Sequence, residues 1–452
     1  MAALATPAPP SEAPADPPDV RAVGRELVRA MPRLSRSPAA VAERRMMATL
    51  MERPELRAAL FRFVDVRPAC RTRADVARHL AELLAEADPE GAARLAGGLA
   101  SSRAGRLPVA LAASAAVRHT ATRFIVGEDP AGALREIERL WRRGVATSVD
   151  LLGEATVTEA EADAYAARCQ EALRTLTAAA ATWPARPKLE RDAAGAIPRV
   201  NLSVKVSALT PLLRPYAPER GIAGARARLR EILRAARELG AHVHVDVESL
   251  DTRDSVVGLT TSLLSEPEFA DGPSAGIVLQ AYLVDSPRHL DELLAWNAAQ
   301  GRTTPLTIRL VKGAYWDHEV VEARRNGWAP PVFTERAECD RNFEALSRRL
   351  IDESPRVRAA IASHNVRSIA HAAAYADARG RDVELQILRG LGDDVQDALA
   401  ATGRRVRCYC PVGDLVAGMA YLVRRLLENT SNDSFLGARA MGEDLDSLLE
   451  AP

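Results

Sequence analysis

Between residues 145 and 428 the chain repeats one pattern eight times: a short apolar segment, a polar residue near its end, and then a helical stretch. The apolar segments are rich in Val, Ile and Leu and too short for a globular helix, so each is predicted to be a strand. They are ATSVDLL (146–152), RVNLSVKVSAL (199–209), HVHVDVES (242–249), GIVLQAYL (276–283), LTIRLVKG (306–313), RAAIASHN (358–365), VELQILRG (383–390) and VRCYCPVG (406–413). Strands that alternate with helices form a parallel sheet, and eight of them close most economically into an α/β barrel of the TIM type, (β/α)8.

The polar residues at the strand ends define a candidate active site, because barrels of this kind carry their chemistry at the carboxyl ends of the strands. The residues expected at this mouth are Glu154, Lys205, Asp246, Gln280, Arg309, Lys312, His364, Gln386 and Tyr409. The insertion 326–338, within the fifth strand-to-strand connection, is expected to lie at the same mouth.

At 452 residues the chain exceeds one barrel of about 250 residues, so a second domain is expected. We expect a disordered Pro- and Ala-rich tail over 1–18, an α-helical arm and bundle over 19–143, the barrel over 144–435 and an acidic tail over 436–452. Within these regions, helices are predicted over 130–144 and 156–183, and a loop is predicted over 184–198.

Composition narrows the class of protein. Sixty basic residues balance sixty acidic ones, so no net field favours nucleic acid. The N-terminus lacks the basic start and apolar core of a secretory signal, and no apolar run approaches the ~20 residues that span a bilayer. Five cysteines without a CxxC pair suit a reducing compartment, and a cytoplasmic location is expected.

The helix predicted after the last strand allows two interpretations. Arg424, Arg425 and Glu428 lie on one arc of it, opposite an apolar stripe. They could form a solvated face with an ion pair that contributes about 0.3–0.5 kcal/mol. Because the start of this helix borders the mouth, they could instead bind a zwitterionic amino acid, with the two guanidinium groups on its carboxylate and the anion near its nitrogen.

The strand HVHVDVES places His242, His244, Asp246 and Glu248 on one face by alternation. Together with His364, the two strand histidines could bind zinc in a metal-dependent amidohydrolase, or they could be core residues. A barrel that senses an amino acid without catalysis is a third class. Lys205 and Lys312 could each form a Schiff base, but two lysines at one mouth favour anion binding.

The segment IRLVKGAYWDHE (308–319) is the most specific in the chain. It brings Arg309, Lys312, Tyr315 and Trp316 to the end of one strand. Two cations beside two aromatic rings suit a large anionic aromatic cofactor with a diphosphate. Because no glycine fingerprint of a dinucleotide fold occurs, any nucleotide would have to be held by the barrel mouth.

Several of these motifs together resemble the flavin-dependent proline dehydrogenases, specifically the proline dehydrogenase half of the bifunctional proline utilization A proteins. The resemblance runs from the N-terminal helices to about Phe435. The motifs that carry it are DLLGEA (150–155), LSVKVSAL (202–209), HVDVES (244–249), GIVLQAYL (276–283), RLVKGAYWD (309–317), ASHN (362–365), LQ (385–386), YCPVG (409–413) and YLVRRLLEN (421–429).

The resemblance implies a distorted (β/α)8 barrel with FAD at its mouth. It also implies oxidation of L-proline to 1-pyrroline-5-carboxylate by hydride transfer from proline C5 to flavin N5. The implied FAD-binding residues are Val247, Gln280, Arg309, Lys312, Gly313, Ala314, Trp316, His364, Asn365 and Gln386. The implied substrate pocket consists of Lys205, Arg424 and Arg425 for the carboxylate, Glu428 near the nitrogen, Glu154 as a gating carboxylate, and Asp246, Tyr315 and Tyr409 as lining residues.

The implied partners are a membrane quinone as electron acceptor, reached by peripheral contact with the inner membrane face, and a pyrroline-5-carboxylate dehydrogenase, separate or fused. We do not expect this chain to catalyse the second oxidation. It lacks a dinucleotide fingerprint, and Cys408 and Cys410 are expected to face away from the mouth.

Overall fold

A closed barrel of eight parallel strands forms the body of the molecule in a computed structural model, which describes residues 19–32, 53–87, 98, 102, 104–153, 156–414, 418 and 443–452. The strands are β1 Val145–Leu151, β2 Arg191–Asp192, β3 Gly195–Ala196, β4 Asn201–Lys205, β5 His242–Asp246, β6 Ser274–Gln280, β7 Leu306–Val311, β8 Val357–Ala362, β9 Glu384–Leu388 and β10 Val406–Val412. β4 to β10 follow one another around the barrel, and β1 closes it between β10 and β4. The predicted (β/α)8 barrel is confirmed.

Helices occupy the connections between the barrel strands and precede the barrel. They are α1 Val20–Ala30, α2 Pro54–Val66, α3 Arg73–Ala87, α4 Arg106–Phe124, α5 Pro130–Arg142, α6 Glu159–Ala180, α7 Pro187–Glu190, α8 Pro218–Glu238, α9 Leu250–Leu264, α10 Ser286–Gln300, α11 Trp316–Asn326, α12 Arg336–Asp352, α13 Val366–Arg379, α14 Asp393–Ala401 and α15 Leu445–Leu448. α6 shows why these ends are sharp, since Thr158 and Glu161 form a reciprocal capping box at its start. The helices predicted over 130–144 and 156–183 therefore exist with slightly shorter bounds.

Two sequence predictions need correction. The apolar run 199–209 is not one strand, because β4 ends at Lys205 and the chain then makes a 3-10 turn over Val206–Ala208. The segment 184–198 is not only a loop, because it contains α7 and the antiparallel hairpin β2–β3. Apolar runs do not mark where a strand bends, and two-residue strands have no hydrophobic period to detect.

The N-terminal helices pack in two places. α2, α3 and α4 share an apolar cluster that reaches the barrel at Leu152, just after β1. α1 lies apart from that cluster, against α13 and α14. Leu449, fully buried, packs so closely on Gly24 that a Cβ there would lie 2.6 Å from its side chain. No helix among the described residues is long and apolar enough to cross a membrane.

Candidate functional site

Arg309 lies at the centre of a hydrogen-bonded group inside the barrel. It extends from β7 and is buried, and its Nε donates to Gln386 Oε1 on β9 at 2.7 Å. Its Nη1 donates to Asp246 Oδ1 on β5 at 2.6 Å. Weaker contacts run to Ser203 at 3.2 Å and Ser148 at 3.3 Å. Side chains from four other strands thus fix one guanidinium, and Arg309, Asp246 and Gln386 are predicted site residues.

Tyr409 joins the same group from β10. Its hydroxyl donates to Asp246 Oδ2 at 2.8 Å, and the Arg309 guanidinium carbon lies 5.2 Å from its ring centroid. Burial, reinforced by the negative charges of Asp150 and Asp246, raises the pKa of Tyr409 well above its ordinary value. The phenol therefore stays protonated and acts as a hydrogen-bond donor at neutral pH.

Lys205 is part of a buried ion pair that the sequence motifs do not predict. Its Nζ contacts Asp150 on β1, and the two side chains are 9% and 1% exposed. Burial alone would lower the pKa of Lys205, but Asp150, Asp246 and Glu248 outweigh it and raise that pKa above its ordinary value. Lys205 is therefore a fixed cation. A carboxylate inside an apolar strand was the available signal, since such a residue needs a buried partner.

Glu248, two residues beyond β5, connects further predicted residues. Its Oε1 lies 3.5 Å from the Tyr315 hydroxyl, and its main-chain oxygen accepts from Gln280 Nε2 at 2.6 Å. Ser207 Oγ also contacts its carboxylate. The alternation in HVHVDVES predicts that Glu248 lies on the same face as Asp246, but it gives Glu248 no role at the site.

Among the described residues that follow the barrel strands, those after β7 include several exposed ones. Gly313 and Ala314 are exposed, and Trp316 is 39% exposed while its Nε1 donates to the main-chain oxygen of Phe333 at 2.9 Å. Gly313 has φ +138°, and a Cβ there would lie 2.3 Å from the Tyr282 ring, so the position requires glycine. Because Phe333 belongs to the insertion 326–338, that insertion lies at the mouth as predicted.

The remaining predicted cofactor residues hold the local structure. Lys312 Nζ contacts Asp340 on α12 and lies over the Phe343 ring. His364 Nε2 accepts from the main-chain N–H of Leu388 at 2.9 Å, and the Asn365 side chain caps α13.

Val247 is buried directly after β5.

Five of the predicted site residues lie close together inside the barrel: Lys205, Asp246, Arg309, Gln386 and Tyr409. The other described site residues lie around them.

His242 and His244 do not face the mouth with His364. His242 begins β5, at the amino-terminal end of the barrel, whereas His364 follows the carboxyl end of β8. The two β5 rings stack on each other, and His242 Nδ1 lies 2.9 Å from Ser274 Oγ. No group of three or more His, Cys, Asp or Glu residues in the described part of the chain is placed to hold a metal ion. The histidine set that the hydrolase interpretation requires is therefore split between opposite ends of the barrel.

Four predicted substrate residues lie outside the described residues: Glu154, Arg424, Arg425 and Glu428. Their roles remain predictions that follow from the resemblance.

Comparison with known protein families agrees with this fold. Residues 133–438 match the family model for proline dehydrogenase, and residues 18–124 match the model for the proline utilization A N-terminal domain. The first match covers well over half of the chain, which therefore belongs to the proline dehydrogenase family. Within that family, the N-terminal match and the relatives described next relate it to the PutA proteins.

The bifunctional protein PutA of Escherichia coli K12 is 31% identical over 347 residues, which are 75% of this chain and 25% of that protein. The proline dehydrogenase of Deinococcus radiodurans is 29% identical over 70% of this chain and 88% of its own length. The chain thus spans about a quarter of the length of the curated PutA relatives it matches.

Among solved structures, PutA from Bdellovibrio bacteriovorus inactivated by N-propargylglycine superposes with a TM-score of 0.85 and 35% identity. That match covers 96% of this chain and 44% of the other. The similarity therefore includes both the barrel and the helices that precede it.

Proposed function

We propose that this chain oxidises L-proline to 1-pyrroline-5-carboxylate with FAD as its bound cofactor. The observation that carries the proposal is the Arg309–Asp246–Tyr409 group beside the Lys205–Asp150 pair, inside the barrel of a chain that belongs to the proline dehydrogenase family. When bound, FAD would supply the redox chemistry by accepting a hydride from proline C5 at its N5 atom.

The residues at the mouth fit a cofactor of this kind. Gln280 Oε1 is buried and has no hydrogen-bond partner among the described residues, so it could accept from a ring N–H. Exposed Gly313 and Ala314 precede α11, and the start of a helix favours phosphate. Trp316 offers a partly exposed ring for stacking. We assign FAD binding to Val247, Gln280, Arg309, Lys312, Gly313, Ala314, Trp316, His364, Asn365 and Gln386.

Fixed charges would orient the substrate. Lys205, held as a cation by Asp150, would bind the proline carboxylate together with Arg424 and Arg425. Glu428 would lie near the substrate nitrogen, and Glu154 would gate the pocket. Asp246, Tyr315 and Tyr409 would line the pocket and keep C5 of proline aligned for reaction, which is where a protein contributes most to a cofactor reaction.

The cation in the barrel interior would also influence the redox chemistry. The Arg309 guanidinium is buried, and a positive charge near a flavin favours the anionic reduced ring. We therefore expect the barrel residues to set the reduction potential as well as the geometry.

We extend the proposal to partners and domains. Electrons would pass to a membrane quinone by transient contact at the inner face of the membrane, and the product would pass to a pyrroline-5-carboxylate dehydrogenase. Residues 144–435 would form the catalytic domain, and residues 19–143 the helical domain.

Product analysis tests the proposal. The purified chain, given proline and an artificial electron acceptor, should accumulate 1-pyrroline-5-carboxylate. Added NAD should leave that amount unchanged and yield no NADH. Failure to form the product with FAD bound would overturn the proposal, and proline-dependent NADH would contradict the restriction to the first oxidation.

A further inference from the structure

A chain of hydrogen bonds links the amino-terminal end of the barrel interior to Arg309. At its start, Arg407 on β10 donates from Nε to Glu384 Oε1 at 2.8 Å and from Nη2 to Glu384 Oε2 at 2.9 Å. Gln386 Nε2 donates to Glu384 Oε1 at 2.7 Å, and Gln386 Oε1 accepts from Arg309 Nε at 2.7 Å. Glu384 and Arg309 are thus linked through one carboxamide.

The polarity of this chain admits one orientation of the Gln386 side chain. A carboxylate only accepts hydrogen bonds and a guanidinium only donates them. The amide nitrogen must therefore face Glu384, and the amide oxygen must face Arg309. A flipped carboxamide would place a donor against a donor and an acceptor against an acceptor.

Glu384 is held firmly enough to impose that orientation. Arg407 donates two hydrogen bonds to Glu384. Arg407 is held in turn by β1, because its Nη1 donates to the main-chain oxygen of Thr147 at 2.8 Å. Burial alone would raise the pKa of Glu384, but the charge and hydrogen bonds of Arg407, with the Gln386 amide, lower it to about 2. Glu384 is therefore anionic under all ordinary conditions.

We propose that Glu384 is a positioning residue of the flavin site: through Gln386 it fixes the position of the Arg309 guanidinium. The inference rests on the proposed function, in which Arg309 and Gln386 contact FAD. It adds a residue near the opposite end of the barrel that acts on the cofactor only through another side chain.

A double-mutant cycle tests the link. Glu384→Gln should weaken FAD binding by about tenfold and change the flavin midpoint potential, because the amide loses its fixed acceptor. In the Gln386→Met background, where the link is already cut, the same substitution should change the FAD dissociation constant by less than about twofold. Titration of the apoprotein with FAD and a dye-coupled redox titration provide the two readouts.

Glu344→Gln is the matched control. Glu344 on α12 forms another buried pair with Arg367 on α13, at 2.8 and 3.0 Å, outside the strand barrel. Its loss should lower stability but leave the FAD affinity and the midpoint potential unchanged. If Glu384→Gln fails to fold, the double variant Glu384→Met with Arg407→Met removes both charges together and takes its place in the cycle.

The inference is overturned by unchanged FAD affinity and potential in Glu384→Gln, by an equal loss in both backgrounds, or by the same loss in Glu344→Gln. A parent chain that binds no FAD would instead remove the proposed function. If the parent chain binds FAD that proline reduces, but Glu384→Gln changes neither the FAD affinity nor the midpoint potential, only the role of Glu384 is contradicted.

Discussion

Polar side chains have different partners at the two ends of the barrel interior. At the amino-terminal end, Arg358 pairs with Asp192 of the β2–β3 hairpin at 2.8 and 3.2 Å, and Arg407 pairs with Glu384. The space left there is a cavity of about 30 Å³. At the carboxyl end, the Gln280 amide oxygen lacks a partner among the described residues, and Trp316 is partly exposed. Charged side chains at the first end are thus paired with one another, whereas the second end presents a buried acceptor and a partly exposed ring.

The largest effect should come from breaking an ion pair at the amino-terminal end. Asp192→Ala leaves Arg358 without its main anion, and their side chains are only 5% and 11% exposed. The free energy of unfolding should fall by about 3–5 kcal/mol, the loss typical of a buried pair deprived of one partner. Urea unfolding measures it, while kcat/KM for proline should not change.

Asp382→Ala is the control for that experiment. Asp382 accepts from Arg405 at 3.2 Å in the same region, but its side chain is 40% exposed, so the loss should stay below about 1 kcal/mol. A large drop in kcat/KM with Asp192→Ala would show that this ion pair affects the site as well as the stability of the fold.

The next effect concerns acid stability at the same end. Burial and the nearby Arg407 charge lower the pKa of His242 to about 3, despite the opposing charge of Glu384. An unfolded chain binds a proton there near pH ~6.5 and the folded one does not, so stability falls as pH drops from ~6.5 towards the folded value.

Between about pH 6.5 and about pH 5, this residue alone should lower the free energy of unfolding by roughly 1–2 kcal/mol. His242→Asn should flatten the dependence by that amount in urea titrations at the two pH values. An identical pH dependence in the variant would mean that folding does not lower the pKa of His242.

The smallest of these losses of stability is expected for Tyr409→Phe at the mouth, where kcat/KM should fall clearly. Tyr409→Phe removes the 2.8 Å hydrogen bond to Asp246, and kcat/KM should fall about tenfold for about 1 kcal/mol of lost stability. Tyr375→Phe removes a hydrogen bond of the same length, to Asp352 between outer helices, and should leave kcat/KM unchanged. Equal kinetics in the two variants would remove Tyr409 from the site.

The sequence predicts the barrel well because its main signal is strong. Eight Val-, Ile- and Leu-rich segments must each be buried, and the alternation with helices leaves few ways to do so. The sequence does not predict the hairpin β2–β3, because its pairing depends on contacts distant in sequence, such as Arg358 with Asp192. The sequence does not predict the bend after Lys205 either, because Val206 and Ala208 are as apolar as strand residues.

The site is predicted less completely. The motifs point to Lys205, Asp246, Arg309 and Tyr409, and the structure connects three of these through hydrogen bonds. The sequence does not distinguish Asp150 and Glu384 from other acidic residues, because their importance depends on which side chain faces them across the barrel. A charged residue inside an apolar strand indicates that a partner exists, but local sequence does not say which one.

The most direct test of the account is the visible spectrum of the purified chain, recorded without oxygen before and after proline is added. We expect a yellow protein with flavin absorbance, bleached by proline. A protein that binds FAD but keeps its colour with excess proline would contradict proline oxidation at this site. A colourless protein that carries stoichiometric zinc and takes up no added FAD would contradict the account as a whole.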